Sequence, residues 1–340
     1  MANRSTCALC AIVLVLLFLI PSGRVGAQSG PALPAGFRAD VYVNGLQQPT
    51  SMAFGPDNRL YVAQENGRIF AIGNHRVVLV ASGFNTPLGL AWYRGLLYVS
   101  SMGRVSTLSP SHSFSRFTRR DIVTGLPFGE HQNDSIAFHA GWMYLSVGST
   151  CDACVERDPR SATVMRFYAN GSHAQIVAHG LRNPYGLAFR PGKNQLYATD
   201  NGRDDHDDQV PDELNHVISG GNYGWPDCWG NGGGTNCHGT IPPVASLEAH
   251  ASADGLTFYT GRSFPARYRG DAFIAEWGQD VGVGSNGRRV KDVHFAGNRV
   301  IVSDFATGLI HPIAVIGARD GSLLIADFGV GIIWHVQAQR

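Results

Sequence analysis

The chain has almost no net charge: 27 Lys and Arg face 26 Asp and Glu across 340 residues. So even a balance gives no strong field toward nucleic acid or an anionic membrane. Lysine is nearly absent, Lys193 and Lys291 being the only two. No apolar run reaches the roughly 20 residues that span a bilayer, so stable membrane insertion is not expected. No GxSxG, P-loop or HExxH is present. No glycine-rich segment has the strand–GxGxxG–helix context of a nicotinamide site. Val155 follows Cys154, which excludes CxxCH haem attachment. Amphipathic helical stretches are few, which argues against a helical or α/β fold.

The longest apolar run, residues 8–20, follows Arg4 and precedes Pro21 and the small residues Val25, Gly26 and Ala27. This is the layout of a secretory signal peptide with cleavage after Ala27. The alternative, a membrane anchor, needs a longer run. Without Arg4 and Arg24 the remaining 25 basic residues face 26 acidic ones, a net of −1. Residues 28–340 are expected to form one domain, secreted or periplasmic. Cys7 and Cys10 leave with the signal. Cys151, Cys154, Cys228 and Cys237 remain, an even number in an exported chain. Two disulfides follow most simply, Cys151–Cys154 and Cys228–Cys237; a structural zinc site is the rival reading.

The rest of the chain consists of short Val-, Ile-, Tyr- and Phe-rich runs between Gly, Pro, Asn and Asp, an all-β pattern. The runs repeat. A small–apolar–apolar–aromatic strand recurs as SMAF at 51–54, GLAW at 89–92, SIAF at 135–138, GLAF at 186–189 and GLTF at 255–258. PIAVI at 312–316 is a weaker sixth copy. Each is followed by a turn and a second strand: LYV at 60–62 and 97–99, MYL at 143–145, LYA at 196–198, AFI at 272–274 and LLI at 323–325. Six copies of one three- or four-stranded unit predict a six-bladed β-propeller rather than a two-sheet sandwich. Residues 200–212 and 220–243 read as insertions without strand character.

In a propeller the innermost strands line the channel, and the residues before them ring one mouth. Seven residues before each anchor stand Gln47, Asn85, His131, Arg182, Ala251 and Leu309, with Gln48, Gln132 and Asn183 next. Four of the six are polar, which suits a ring around a polar ligand. An imidazole such as His131 takes a proton near neutral pH, and a neighbouring carboxylate can orient it. Arg182 offers a planar fork to a carboxylate or a developing oxyanion. The run from Asp200 to Asp208 is dense in hard oxygen ligands, suited to Ca²⁺, although a solvated acidic loop has the same composition. The Gly- and aromatic-rich stretch with Tyr223 and Trp225 suits either a stacking wall for a flat ligand or a tight turn.

These motifs resemble the quinoprotein glucose/sorbosone dehydrogenase family. They are His131-Gln132 with IAF at 136–138 and MYLSVG at 143–148; GSTCDAC at 148–154 with Asp158-Pro-Arg160; GLRNP at 180–184; and DNGRD at 200–204 leading to GNYGWP at 221–226. The family consists of secreted six-bladed propellers that use pyrroloquinoline quinone (PQQ) with calcium. The resemblance implies His131 as the base for a sugar hydroxyl and Arg182 as the partner of the reduced cofactor's oxygens. It implies Asn183, Asn85, Gln132, His311, Tyr223 and Trp225 around the cofactor. Calcium is expected at Gly202, Arg203 and Asp204. Partners would be a small sugar substrate and an external electron acceptor. The sequence also departs from the family. Phe84 stands at a family glutamine, Gly278 near a family lysine, and His311 at a family arginine. Two other functions fit the fold: a binding propeller without cofactor, and a calcium-dependent lactonase-like hydrolase. The latter needs carboxylates in the channel, where the ring positions are Gln, Asn, His and Arg.

Overall fold

The computed structural model describes residues 30–339, apart from residues 75, 207–208, 280–285 and 298. The expected signal segment, 1–27, lies outside the described residues, as do Asp207 and Asp208 of the acidic insertion.

Six sheets, antiparallel apart from one short parallel pair, form six blades. Their innermost strands are β2 (Pro49–Phe54), β6 (Pro87–Tyr93), β10 (Asn133–His139), β14 (Leu187–Phe189), β21 (Ala253–Phe258) and β25 (Pro312–Gly317). Every copy of the sequence repeat is therefore an innermost strand. The glycine that opens three of these copies has a steric cause. A Cβ on Gly89 would lie 2.2 Å from the Asp134 carbonyl oxygen, one on Gly186 2.4 Å from that of Asp254, and one on Gly255 2.6 Å from that of Ile313. Each is a backbone of the next blade, so the inner strands approach too closely around the axis for a side chain there.

The second strand of each blade is covered on both faces. Leu60, Tyr61, Val62, Ala63 and Gln64 of β3 (Leu60–Gln64) are all buried. Leu60 and Val62 pack with Leu324, Ala326 and Ile333 of the sixth blade. Tyr61 and Ala63 pack with Leu90, Leu97 and Val99 of the second. Alternate side chains thus serve alternate neighbours, and each buried aliphatic contributes about 1.5–3 kcal/mol. The ring closes through a strand the repeats do not reveal. β1 (Phe37–Val43) pairs antiparallel with β27 (Ile332–Ala338) as the outermost strand of the last blade. Phe37 anchors it edge-on against Phe264, Tyr268 and Phe305.

The second insertion is not strandless. β17 (Gly221–Asn222) crosses back to pair parallel with β13 (Gln175–His179) of the third blade. β20 (Ala245–Ser246) completes the fourth. Both expected disulfides are formed, so these four sulfurs are not zinc thiolates. Cys228–Cys237 closes a short loop, and a bond of that span stabilises by about 2–3 kcal/mol. Cys228→Ser with Cys237→Ser is therefore expected to lower the melting temperature by several degrees. An unchanged melting curve by calorimetry would refute a stabilising role for this bond.

Candidate active site at the mouth of the propeller

Blades three and four meet at the mouth through backbone hydrogen bonds. The His131 N–H donates to the Ser149 carbonyl at 3.1 Å, and the Ser149 N–H donates to the Arg182 carbonyl at 2.7 Å. Gly148 lets the pieces close: a Cβ there would lie 2.5 Å from the His131 Cβ and 2.9 Å from the Asn183 Oδ1. His131, Gln132, Arg182 and Asn183 are thus brought together.

The half-buried His131 ring is held at Nδ1, 3.0 Å from Ser149 Oγ. Ser149 Oγ itself donates to the Cys151 carbonyl at 2.6 Å. With its proton so engaged, this hydroxyl accepts from Nδ1–H, and Nε2 becomes the ring's acceptor. Burial first, and the Arg182 charge second, push the imidazole down to about 3. It is neutral through the physiological range. The orienting group is Ser149, not the adjacent Glu130, whose carboxylate lies 3.8 Å from Arg182.

Arg182 is 4% exposed. Its Nη2 lies 2.7 Å from Asp204 and 2.9 Å from Asp152. Nη1 and Nε donate to the carbonyls of Asn201 and Asp152. Asp200 fixes the segment from below, its two oxygens accepting the backbone N–H groups of Asn183 and Arg182. Asp212 accepts those of Gly202 and Ala253. Glu213 accepts that of Gly230. The buried acids of the insertion therefore bind backbone amides, which corrects the picture of a loop of open metal ligands. The carbonyl oxygens of Gly202 and Arg203 accept no hydrogen bond among the described residues.

The remaining expected residues are dispersed. Tyr223 and Trp225 border a small recess beside Arg182, Gly202 and Arg203 rather than the axial cavity. The Tyr223 hydroxyl donates to the His216 carbonyl, and Trp225 Nε1 to that of Asp152. Gln132 is buried and donates to the Thr86 carbonyl. Asn85 is exposed, its Nδ2 3.2 Å from Met102 Sδ. Phe84 is buried under the Arg119 guanidinium. His311 stacks on Trp277 at 3.9 Å and bonds its carbonyl through Nδ1. Gly278 has φ +92°, and a Cβ there would lie 2.6 Å from Arg288 Cγ, so a lysine does not fit.

An axial cavity of about 260 Å³ opens at this mouth, lined by Asn183, Tyr185, Asn201, Asp254, Trp277 and Ile313 among others. A second, of about 160 Å³, lies farther along the channel between Met52, Leu90, Ile136, Leu187, Leu256 and Val315. Tyr185 of the fourth blade belongs to the apolar cluster of Met52 and Ile313 from the first and sixth. Its ring therefore crosses the axis. Asp134, Tyr185 and Asp254 each stand four residues before an anchor aromatic, at one level of the channel. All three are raised well above their ordinary values. Burial is the main cause, followed for Asp134 by Asp254 and for Tyr185 by both acids. An offset of four rather than seven picks out this polar level in the sequence. It shows that the channel does carry carboxylates, one step below the ring that the repeats suggested.

Residues 126–282 match the Glucose / Sorbosone dehydrogenase family model. An uncharacterised protein of Borreliella burgdorferi is 24% identical over 96% of this chain and 97% of its own length. Aldose sugar dehydrogenase YliI of Escherichia coli is 32% identical, over 28% of this chain and 27% of its own length. The PQQ-bound form of an aldose sugar dehydrogenase from Streptomyces coelicolor superposes with a TM-score of 0.71 at 21% identity, covering 91% of this chain and 100% of that one. By this match over residues 126–282 and by its propeller, the chain is similar to the soluble quinoprotein sugar dehydrogenases.

Proposed function

We propose that residues 28–340 act, after export, as a PQQ- and calcium-dependent sugar dehydrogenase on a sugar hydroxyl or hydrated aldehyde. The observation that carries this reading is the His131–Ser149–Arg182–Asn183 assembly, with an imidazole fixed in the tautomer that accepts a proton at Nε2. The donor set fits the quinone edge of such a cofactor, because a guanidinium and a carboxamide stand beside the imidazole. Asn183 Oδ1 has no hydrogen-bond partner among the described residues, which leaves this carboxamide oxygen open to a ligand. The carbonyls of Gly202 and Arg203, which accept no hydrogen bond among the described residues, fit calcium. When bound, PQQ supplies a two-electron acceptor for substrate hydride.

The chain's own part is then defined. His131 Nε2 receives the hydroxyl proton. Ser149 keeps the ring from rotating. Arg182 and Asn183 offer N–H donors to developing negative charge. Asp200 locks both residues by their backbone. The carboxylates of PQQ find little help. Gly278 and His311 stand where the family has cations, and Arg182 is already shared with Asp152 and Asp204. Weak cofactor binding is therefore expected. His311→Arg should tighten PQQ about tenfold, the gain of one charge-assisted hydrogen bond, as read by reconstitution titration. No change on that substitution would remove the charge argument.

The shared state of Arg182 also favours a second reading, a sugar-binding propeller without the cofactor. One experiment separates the two. The mature protein with PQQ and Ca²⁺ is offered aldoses and sugar aldehydes while dye reduction and thermal shift are followed. Turnover supports the dehydrogenase. Absence of both turnover and any PQQ-induced shift refutes it and leaves the binding reading.

A further inference from the structure

Below the proposed reaction site, three buried oxygens in the channel have no hydrogen-bond partner among the described residues: Asp134 Oδ2, Tyr185 OH and Asn201 Oδ1. These side chains are at least nine-tenths buried, Asp134 being 1% exposed, Tyr185 7% and Asn201 9%. Asp254, 5% exposed, receives one bond on its carboxylate, from Asn201 Nδ2 at 3.3 Å. Tyr185, Asn201 and Asp254 line the axial cavity, and Asp134 sits at the same level one blade before Tyr185. No basic side chain forms an ion pair with either aspartate among the described residues. Buried polar atoms are nearly always partnered, and a buried carboxylate without a counter-charge costs several kcal/mol. A set of orphaned oxygens on three successive blades is what a bound hard cation leaves when it is omitted.

We propose that this level of the channel is a calcium site, with Asp134 and Asp254 as carboxylate ligands, Asn201 as an amide-oxygen ligand and Tyr185 as a hydroxyl ligand. Every donor is oxygen, which selects a hard cation over zinc or copper. The ligands are uncharged or singly charged and come from flexible side chains rather than an octahedral cage, which suits calcium better than magnesium. Its remaining positions would be filled by water from the cavity above. The site differs from the carbonyl pair of Gly202 and Arg203, since neither aspartate belongs to that loop. It would also tie blades three, four and five together at the axis.

The test uses the full mature protein and Ca²⁺ alone, with no quinone and no sugar present, so its outcome is separate from that of the dehydrogenase reading. The protein is stripped with EGTA, then titrated calorimetrically, and bound calcium is counted by mass spectrometry. Asp134→Asn and Asp254→Asn are each expected to weaken one calcium at least 30-fold or remove it. Asp204→Asn, in the loop, should leave that calcium in place. Wild-type protein that takes up no calcium at millimolar concentration overturns the proposal. So does unchanged binding in both aspartate variants, which would leave a proton-sharing pair. Should those variants fail to fold, Asn201→Asp keeps the channel acids and adds a third carboxylate. It should tighten calcium at least tenfold, and equal affinity overturns the site.

Discussion

Replacing His131 by Asn is expected to lower dye-coupled turnover by about 10²–10⁴, the usual contribution of a positioned general base, while sugar binding changes little. The carboxamide keeps a donor toward Ser149 Oγ, so the local fold is retained and the lost function is that of Nε2. The pH profile makes the prediction sharper. Burial and Arg182 hold the imidazole near 3, so no acid limb near 6.5 should appear. Activity should stay flat from about pH 5 to 8 as far as this group is concerned. A steep loss of activity below pH 6.5 in wild type, absent from Ser149→Ala, would mean that the ring is not depressed by its surroundings. Ser149→Ala should itself cost about tenfold, because the ring loses its fixed orientation without losing its base. Full turnover in His131→Asn would end the base assignment and leave Arg182 and Asn183 as binding groups only.

The blades are legible in the sequence because two physical demands recur in most of them. A small residue is required where inner strands meet backbone to backbone, as Gly89, Gly186 and Gly255 do. An apolar run is required where a second strand is covered on both sides, as at Leu60–Gln64. The closing strand Phe37–Val43 obeys neither demand, since its outer face is open to solvent, and so it carries no repeat. His131 and Arg182 were found by their shared offset before the anchors. Their partners were not. Asp152, Ser149 and Asp204 come from loops whose approach depends on the fold rather than on spacing. The acids of the 200–213 segment illustrate the limit of composition. A carboxylate that binds calcium and one that accepts two backbone amides look alike as letters, and only burial separates Asp200 and Asp212 from an open ligand loop. The lysine that is missing near Gly278 becomes intelligible the same way. A left-handed backbone with Arg288 against it leaves no room for any side chain.

The protein is expected to be most heat-stable in mild acid, between about pH 4 and 5.5, and to lose stability as pH rises through 7 to 8. Burial raises Asp212 and Asp292 to about 7 and Glu276 to about 8. A carboxyl raised in the folded state stabilises it fully below the unfolded value near 4, and that contribution is lost as pH climbs through the folded one. Each unit amounts to about 1.4 kcal/mol. Asp134, Asp200 and Asp254 act in the same direction. His131 acts in the opposite direction. Its folded value lies below its unfolded one, so its contribution is complete above 6.5 and is lost as pH falls toward 3. His216 acts with it and Glu213 and Asp271 with the raised carboxyls, and two groups against eight do not reverse the slope. The acid limit comes from Asp121, lowered by the Ser106 hydrogen bond and then Arg119 and Arg104, and from Asp158 and Asp304, lowered by paired Arg and Lys; their contribution disappears as pH drops below about 4. Calorimetry from pH 3.5 to 9 in EGTA should therefore show a melting temperature that peaks in mild acid. Glu276→Gln should flatten its decline above pH 7, since an amide has no proton to lose. A melting temperature that rises steadily from pH 5 to 8.5 would show that these carboxylates are ionised in the native protein and that water or a cation reaches them.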